Sequence, residues 1–208
     1  MNYFVTGFHR AGTHTIAQDL ASKHGLLYFE ERRIRWDSMG ATKMLCNGFN
    51  PKWEPVSGEG WKLKGYRDLN LDKGFVLHCP GIAHKTLELA EMGTVYWCVR
   101  DRINIATSMV NSGFERMTWH LMKQFHEEFP DDPIWSTLEY DGHEDVKYKF
   151  VAYHSLFLKV KDYFYETKFK DIVTLIKLEE QPFYNESETS TKKAPLREEM
   201  RRRLLYAG

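Results

Sequence analysis

The chain contains no apolar run approaching 18 residues, so no segment reads as a membrane-spanning helix. No apolar leader precedes the first strand-like run either, so we expect no signal peptide, no membrane span and a cytoplasmic location. Neither sign of charge is in excess: Lys+Arg and Asp+Glu both number 29. That balance gives no basis for a broad nucleic-acid or membrane-binding surface. Cysteine is scarce, at Cys46, Cys79 and Cys98. An odd count with no zinc-type spacing excludes a disulfide framework and a cysteine metal site, and implies reduced thiols. Internal repeats and linkers are also missing. What remains is 208 residues with 42% hydrophobic content, enough for a real core in a single domain spanning 1–208.

Along the chain, strand-like and helix-like stretches alternate. Strands are expected at 2–6, 26–29, 74–78, 94–99 and 172–177, and helices at 13–23, 82–92, 104–112 and 146–167, with a further helix opening at Pro195. The run Thr94-Val-Tyr-Trp-Cys-Val99 is continuously apolar, as a central parallel strand requires. The aromatic stripe through Phe150, Tyr153, Phe157 and Phe164 reads as core packing. The expected fold class is α/β, three-layered, with a mainly parallel central sheet. Two stretches, 34–72 and 129–145, read as long loops with short helical pieces.

The first strand runs into Gly7-Phe8-His9-Arg10-Ala11-Gly12, and the first helix follows at once. A strand, a glycine-bounded loop and a helix N-terminus together form a phosphate trap: glycines let the backbone approach, and helix amides and dipole favour an anion. Arg10 supplies a fixed cation, and Thr13 and Thr15 supply hydroxyls. The Gly-x4-Gly frame is that of a P-loop, but Thr13-His14 stands where a P-loop ends in Lys-Ser/Thr. This argues against an ordinary ATPase or kinase. A second anion site is suggested after the central strand. Arg100 lies at its C-terminal end, where ligands bind in open α/β sheets, and Ser108 falls in the next helix. An arginine fork and a hydroxyl can hold one phosphate between them, so a ligand carrying two phosphate groups suits the pair of sites.

These residues resemble the sulfotransferases that use 3′-phosphoadenosine 5′-phosphosulfate (PAPS). The family's first motif is typically Pro-Lys/Arg-Ser-Gly-Thr-Thr, and His9-Arg10-Ala11-Gly12-Thr13-His14 stands in its place. Its second motif is an arginine, often followed by Asp or Asn, with a serine eight residues on; Arg100, Asp101 and Ser108 match it. The motifs look most like those of the tyrosylprotein sulfotransferases, which carry a Glu-Glu pair about 20 residues after the first arginine; Glu30-Glu31 occupies that spacing from Arg10. The resemblance implies that Arg10, Ala11, Gly12, Thr13, His14 and Thr15 hold the 5′-phosphosulfate. It assigns the 3′-phosphate to Arg100 and Ser108, the general base to Glu31 and acceptor orientation to Arg33. His78 is a competing base, since cytosolic members carry a catalytic histidine about 22 residues before the second-motif arginine, the spacing from His78 to Arg100. Departures are His14 for the second Thr, His9 for Pro, Val76 for a Lys, and the missing C-terminal Arg-Lys-Gly segment, which Lys192, Lys193 or Arg201-Arg202-Arg203 would have to replace.

The expected reaction is in-line transfer of a sulfuryl group from PAPS to a hydroxyl or amine acceptor, releasing 3′-phosphoadenosine 5′-phosphate (PAP). Charge builds on the leaving phosphate, so catalysis rests on positioning and on donors aimed at that oxygen. No metal is expected, because the sulfuryl group carries one negative charge where a γ-phosphoryl carries about two, which suits a chain with no evident Mg²⁺ carboxylate at a strand end. Small-molecule, carbohydrate and peptide acceptors all remain open, as does oligomeric state. Two other readings stay beside this one: a P-loop kinase of a nucleotide or small molecule, and a non-catalytic PAP-binding protein.

Overall fold

The computed structural model describes residues 1–30, 35–36, 42–43, 74–112, 115–138 and 150–184. Glu31, Arg33, Cys46, Trp53, Trp61, Lys192, Lys193 and the Arg201–Arg203 run lie outside the described residues. The architecture is α/β. The strands are β1 (Tyr3–Gly7), β2 (Leu27–Glu30), β3 (Arg35–Trp36), β4 (Thr42–Lys43), β5 (Phe75–His78), β6 (Thr94–Val99) and β7 (Thr174–Lys177). The helices are α1 (Thr13–His24), α2 (Thr86–Met92), α3 (Arg102–Asn111), α4 (Glu115–Glu128), α5 (Ile134–Thr137) and α6 (Phe150–Phe164). Five strands form a sheet in the order β2-β5-β1-β6-β7, while β3 and β4 pair antiparallel by themselves. The strand β5 pairs in parallel with both β1 and β2. In register, His78 faces Val5 on one side and Glu30 on the other. The C-termini of the three strands therefore lie at the same end of the sheet.

Two compact units divide the chain, and their segments interleave: Met1–Gly7, Gly12–Trp97 and Ile172–Thr174 make one, and Phe8–Ala11, Cys98–Asp171 and Leu175–Gly208 the other. In the first, Val5, Val76 and Leu77 are fully buried, and Phe4 meets Phe75 edge-on at 5.8 Å, as a strand buried on both faces demands. Gly93 lies so close to Asn2 that a Cβ there would sit 2.3 Å from the Asn2 carbonyl oxygen. That approach lets the Thr94 N–H donate to the same oxygen at 3.0 Å, which seats β6.

In the second unit the core is aromatic. Phe164 is fully buried and stacks on Phe125 at 5.2 Å and on Phe129 at 4.8 Å. Its helix ends in a wider π turn, Tyr165–Phe169, marked by the Lys170 N–H donating to the Tyr165 carbonyl at 2.9 Å. In an α-helix residues five apart point about 140° apart around the axis; the wider turn reduces that angle, and Phe169 is buried within 6.3 Å of Phe164. The expected continuous helix to 167 is therefore two elements.

The boundaries depart from expectation elsewhere too. The stretch expected as one helix at 82–92 is a 3₁₀ segment, Pro80–Lys85, followed by α2, because Pro80 opens it and Ile82 is non-helical. The helix α4 had no counterpart in the expectations, although Leu121, Met122 and Phe125 are all buried at the i, i+1, i+4 spacing of a helical face. The acidic stretch after it holds the four-residue α5, where Trp135 Nε1 donates to the Phe129 carbonyl. Cys79 and Cys98 are both buried, and burial pushes the Cys98 thiol up.

Candidate functional site

The loop after β1 is shaped by backbone conformation. Arg10 is left-handed, at φ 66°, and Gly12 caps α1 at φ 79°. A residue with a Cβ enters that region at a cost of about 1 kcal/mol or more, so an arginine held there indicates that its placement is imposed by its surroundings. The helical ladder of α1 begins with the Ile16 N–H and the Gly12 carbonyl at 3.0 Å. The first amides of a helix stand outside its ladder and point toward whatever approaches its N-terminus.

One group of side chains lies within the unit that contains Phe8–Ala11 and Arg100. Arg10 Nε donates to Ser108 Oγ at 2.9 Å. Arg100 Nη1 reaches the Arg10 carbonyl at 3.5 Å. Arg10, Arg100 and Ser108, read from sequence as members of two motifs, are thus brought together. Asp101 of the second motif serves the local structure: its Oδ1 accepts the Asn104 N–H at 3.0 Å, an N-cap for α3. Arg100 is further held by two residues that the motifs did not include. Its Nη2 donates to the Tyr184 hydroxyl at 3.3 Å, with the guanidinium 5.6 Å from the Tyr184 ring centre, and its Nε lies 3.8 Å from Glu179 Oε1. The same carboxylate oxygen accepts the Asp101 N–H at 2.9 Å. No local pattern marks residues some 80 positions downstream; only the fold juxtaposes them. Lys161 is also buried completely, its ammonium 5.7 Å from the Phe8 ring and 4.9 Å from the Phe157 ring. A cation between two aromatic faces is stabilised by their quadrupoles. His9 is buried, with its ring 6.3 Å from Phe157.

A second group lies within the other unit. Thr13 and His78 are both buried, and Thr13 Oγ1 and His78 Nε2 are 2.8 Å apart. The imidazole tautomer decides which of the two donates. Tyr28 Oη and His14 Nδ1 are also 2.8 Å apart, and the His14 ring meets His78 edge-on at 5.6 Å. Thr13, His14, Tyr28 and His78 therefore form one polar cluster where β5 ends and α1 begins. Sequence reasoning named three of its members and missed Tyr28. Thr15 is exposed in the first turn of α1, and Ala11 is buried. The candidate base Glu31 follows Glu30, whose backbone is in register with His78; Glu31 itself and Arg33 lie outside the described residues.

Among the described residues no three His, Cys, Asp or Glu side chains gather as a metal site, and no helix is long and apolar enough to cross a membrane. No family model, no curated protein and no solved structure matches the chain.

Proposed function

We propose that the protein is a PAPS-dependent sulfotransferase of three-layer α/β build, whose P-loop-like first loop takes the 5′-phosphosulfate. The reading rests on the motif likeness of residues 9–14 and 100–108. The observation that supports it most is the bond from Arg10 to Ser108, with Arg100 on the Arg10 carbonyl. These bonds bring the arginines of both motifs beside Ser108, so each of the two phosphate groups of one ligand can meet a guanidinium, which donates in a fork and stays charged at every relevant pH. The chain carries Arg10 directly into Gly12, Thr13 and the start of α1, so anion donors of two kinds follow one another along a single loop. In this reading Arg100 and Ser108 take the 3′-phosphate, and Arg10 with the loop amides stabilises the charge that develops on the 5′-phosphate oxygen as the sulfuryl group leaves.

The acceptor's proton goes to Glu31, and His78 is the alternative base. Supporting His78 is its bond to Thr13, which fixes the ring beside the helix N-terminus. Supporting Glu31 is the parallel register that ends β2 beside β5. Phenol, sugar and tyrosine-peptide hydroxyls are all compatible acceptors and enter the test as a panel.

Calorimetric titration with PAP, and with ATP and ADP as controls, tests the reading. Micromolar PAP binding that is at least tenfold weaker in Arg100→Ala and for ADP is expected, since a charge-assisted bond is worth about 1.5–3 kcal/mol. ATP binding without PAP binding would sink it and turn attention to phosphoryl transfer.

A further inference from the structure

The arginine assigned to the 3′-phosphate already has an anion beside it. Glu179 stands on a 3₁₀ turn, Leu178–Glu180, which directly follows β7 and is pinned by the buried Leu178. Its Oε1 is 3.8 Å from Arg100 Nε and accepts the Asp101 N–H at 2.9 Å. Beyond the turn, Tyr184 lays its ring and its hydroxyl against the same guanidinium. The Tyr184 N–H in turn bonds to the Gln181 carbonyl at 2.9 Å, so turn and ring belong to one ordered strap. The Arg100 side chain is only 11% exposed, whereas that of Glu179 is 35% exposed. The carboxylate is therefore the more water-accessible of the two.

We propose that Glu179 is a specificity-determining residue of this site: a tethered carboxylate that competes for Arg100 and that an incoming phosphate must displace. The inference rests on the sulfotransferase reading, because it takes Arg100 as the ligand's cation. A buried guanidinium without a counterion is costly, and Glu179 partly neutralises it before a nucleotide binds. A carboxylate carries one negative charge and a phosphate monoester close to two, so the phosphate dianion gains more from Arg100 than the carboxylate gives up. A nucleotide lacking the 3′-phosphate offers Arg100 nothing in exchange and leaves Glu179 in place. The strap thus sets a threshold at Arg100, which only an anion that outcompetes a carboxylate passes.

The test is calorimetry of the full chain with PAP as probe, comparing wild type, Glu179→Gln, Glu179→Asp and Arg100→Ala. Gln keeps an acceptor for the Asp101 N–H while removing the charge. The expectation is that Glu179→Gln binds PAP about fivefold more tightly than wild type, the scale of a partly exposed ion pair. Glu179→Asp stays near wild type, and Arg100→Ala binds at least tenfold more weakly. Adenosine 5′-phosphate serves as the comparison nucleotide: it has no group for Arg100, so its affinity is unchanged in Glu179→Gln and the gain is confined to PAP. PAP affinity unchanged or weakened in Glu179→Gln, with Arg100→Ala still defective, overturns this inference and leaves the sulfotransferase reading intact. Absence of PAP binding in both wild type and Glu179→Gln overturns both. Thermal unfolding of each variant separates lost folding from lost affinity.

Discussion

At the residue scale, Arg10 concentrates the most physics. It occupies a left-handed conformation, bonds Ser108 and offers its carbonyl to Arg100. Glycine adopts that conformation freely, so Arg10→Gly relieves backbone strain while deleting the cation. We expect its melting temperature to stay within a few degrees of wild type, about 1 kcal/mol in stability, while PAP affinity drops about tenfold or more. A large fall in melting temperature would mark Arg10 as structural. The base is tested in the same way. Glu31→Gln is expected to abolish PAP release from PAPS in the presence of an acceptor panel while sparing PAP binding. If Glu31→Gln keeps its turnover and His78→Ala loses it, the Thr13–His78 pair carries the proton instead.

At the scale of elements, the aromatic unit shows why a helix ends where it does. The π turn at Tyr165–Phe169 keeps Phe169 against Phe164, and Lys168 then reaches Asp132 at 2.9 Å. Burial works to raise the Asp132 carboxyl, but bonds from Lys168, the Ile134 N–H and Tyr163 outweigh it and hold the group below its ordinary value. Its folded pKa is thus lower than its unfolded value of about 3.9. The stabilisation is present above that value and is lost as pH falls through the folded pKa. Asp132→Asn should accordingly be less stable than wild type at neutral pH, and the gap should close as the pH is lowered from about 5 toward about 2. Urea unfolding at a series of pH values measures it; a gap constant with pH would show that the ionised form gains nothing from these partners.

On the scale of the whole molecule, the chain passes repeatedly between two units, and the loop after β1 is itself a point of passage, at Ala11–Gly12. A ligand that binds only the folded chain stabilises it by mass action, by about 2.7 kcal/mol at a hundredfold excess over its Kd. PAP at that excess is expected to raise the melting temperature by several degrees, and ADP at the same concentration is not. An equal shift from both would mean that the 3′-phosphate is not recognised.

Much was readable from residues alone because the signals are local. Alternating apolar runs announced an α/β chain, and β6 is found where Thr94–Val99 placed it. The helix expected at 13–23 is found at Thr13–His24, with Gly25 as its left-handed C-terminal cap. The loop arginine and the arginine after β6 stood out because each follows a strand in a characteristic pattern. Local signals did not extend to the π turn, whose cause is a packing partner at Phe164. The sequence by itself determined which residues carry charge, hydroxyl and imidazole, and in what order along the chain. Only the tertiary structure decided that Thr13 meets His78, that Tyr28 meets His14, and that Glu179 and Tyr184 close on Arg100. Those pairings join residues 14 to 84 positions apart, and spacing along a chain carries no information about which of many distant partners folding will bring within 4 Å.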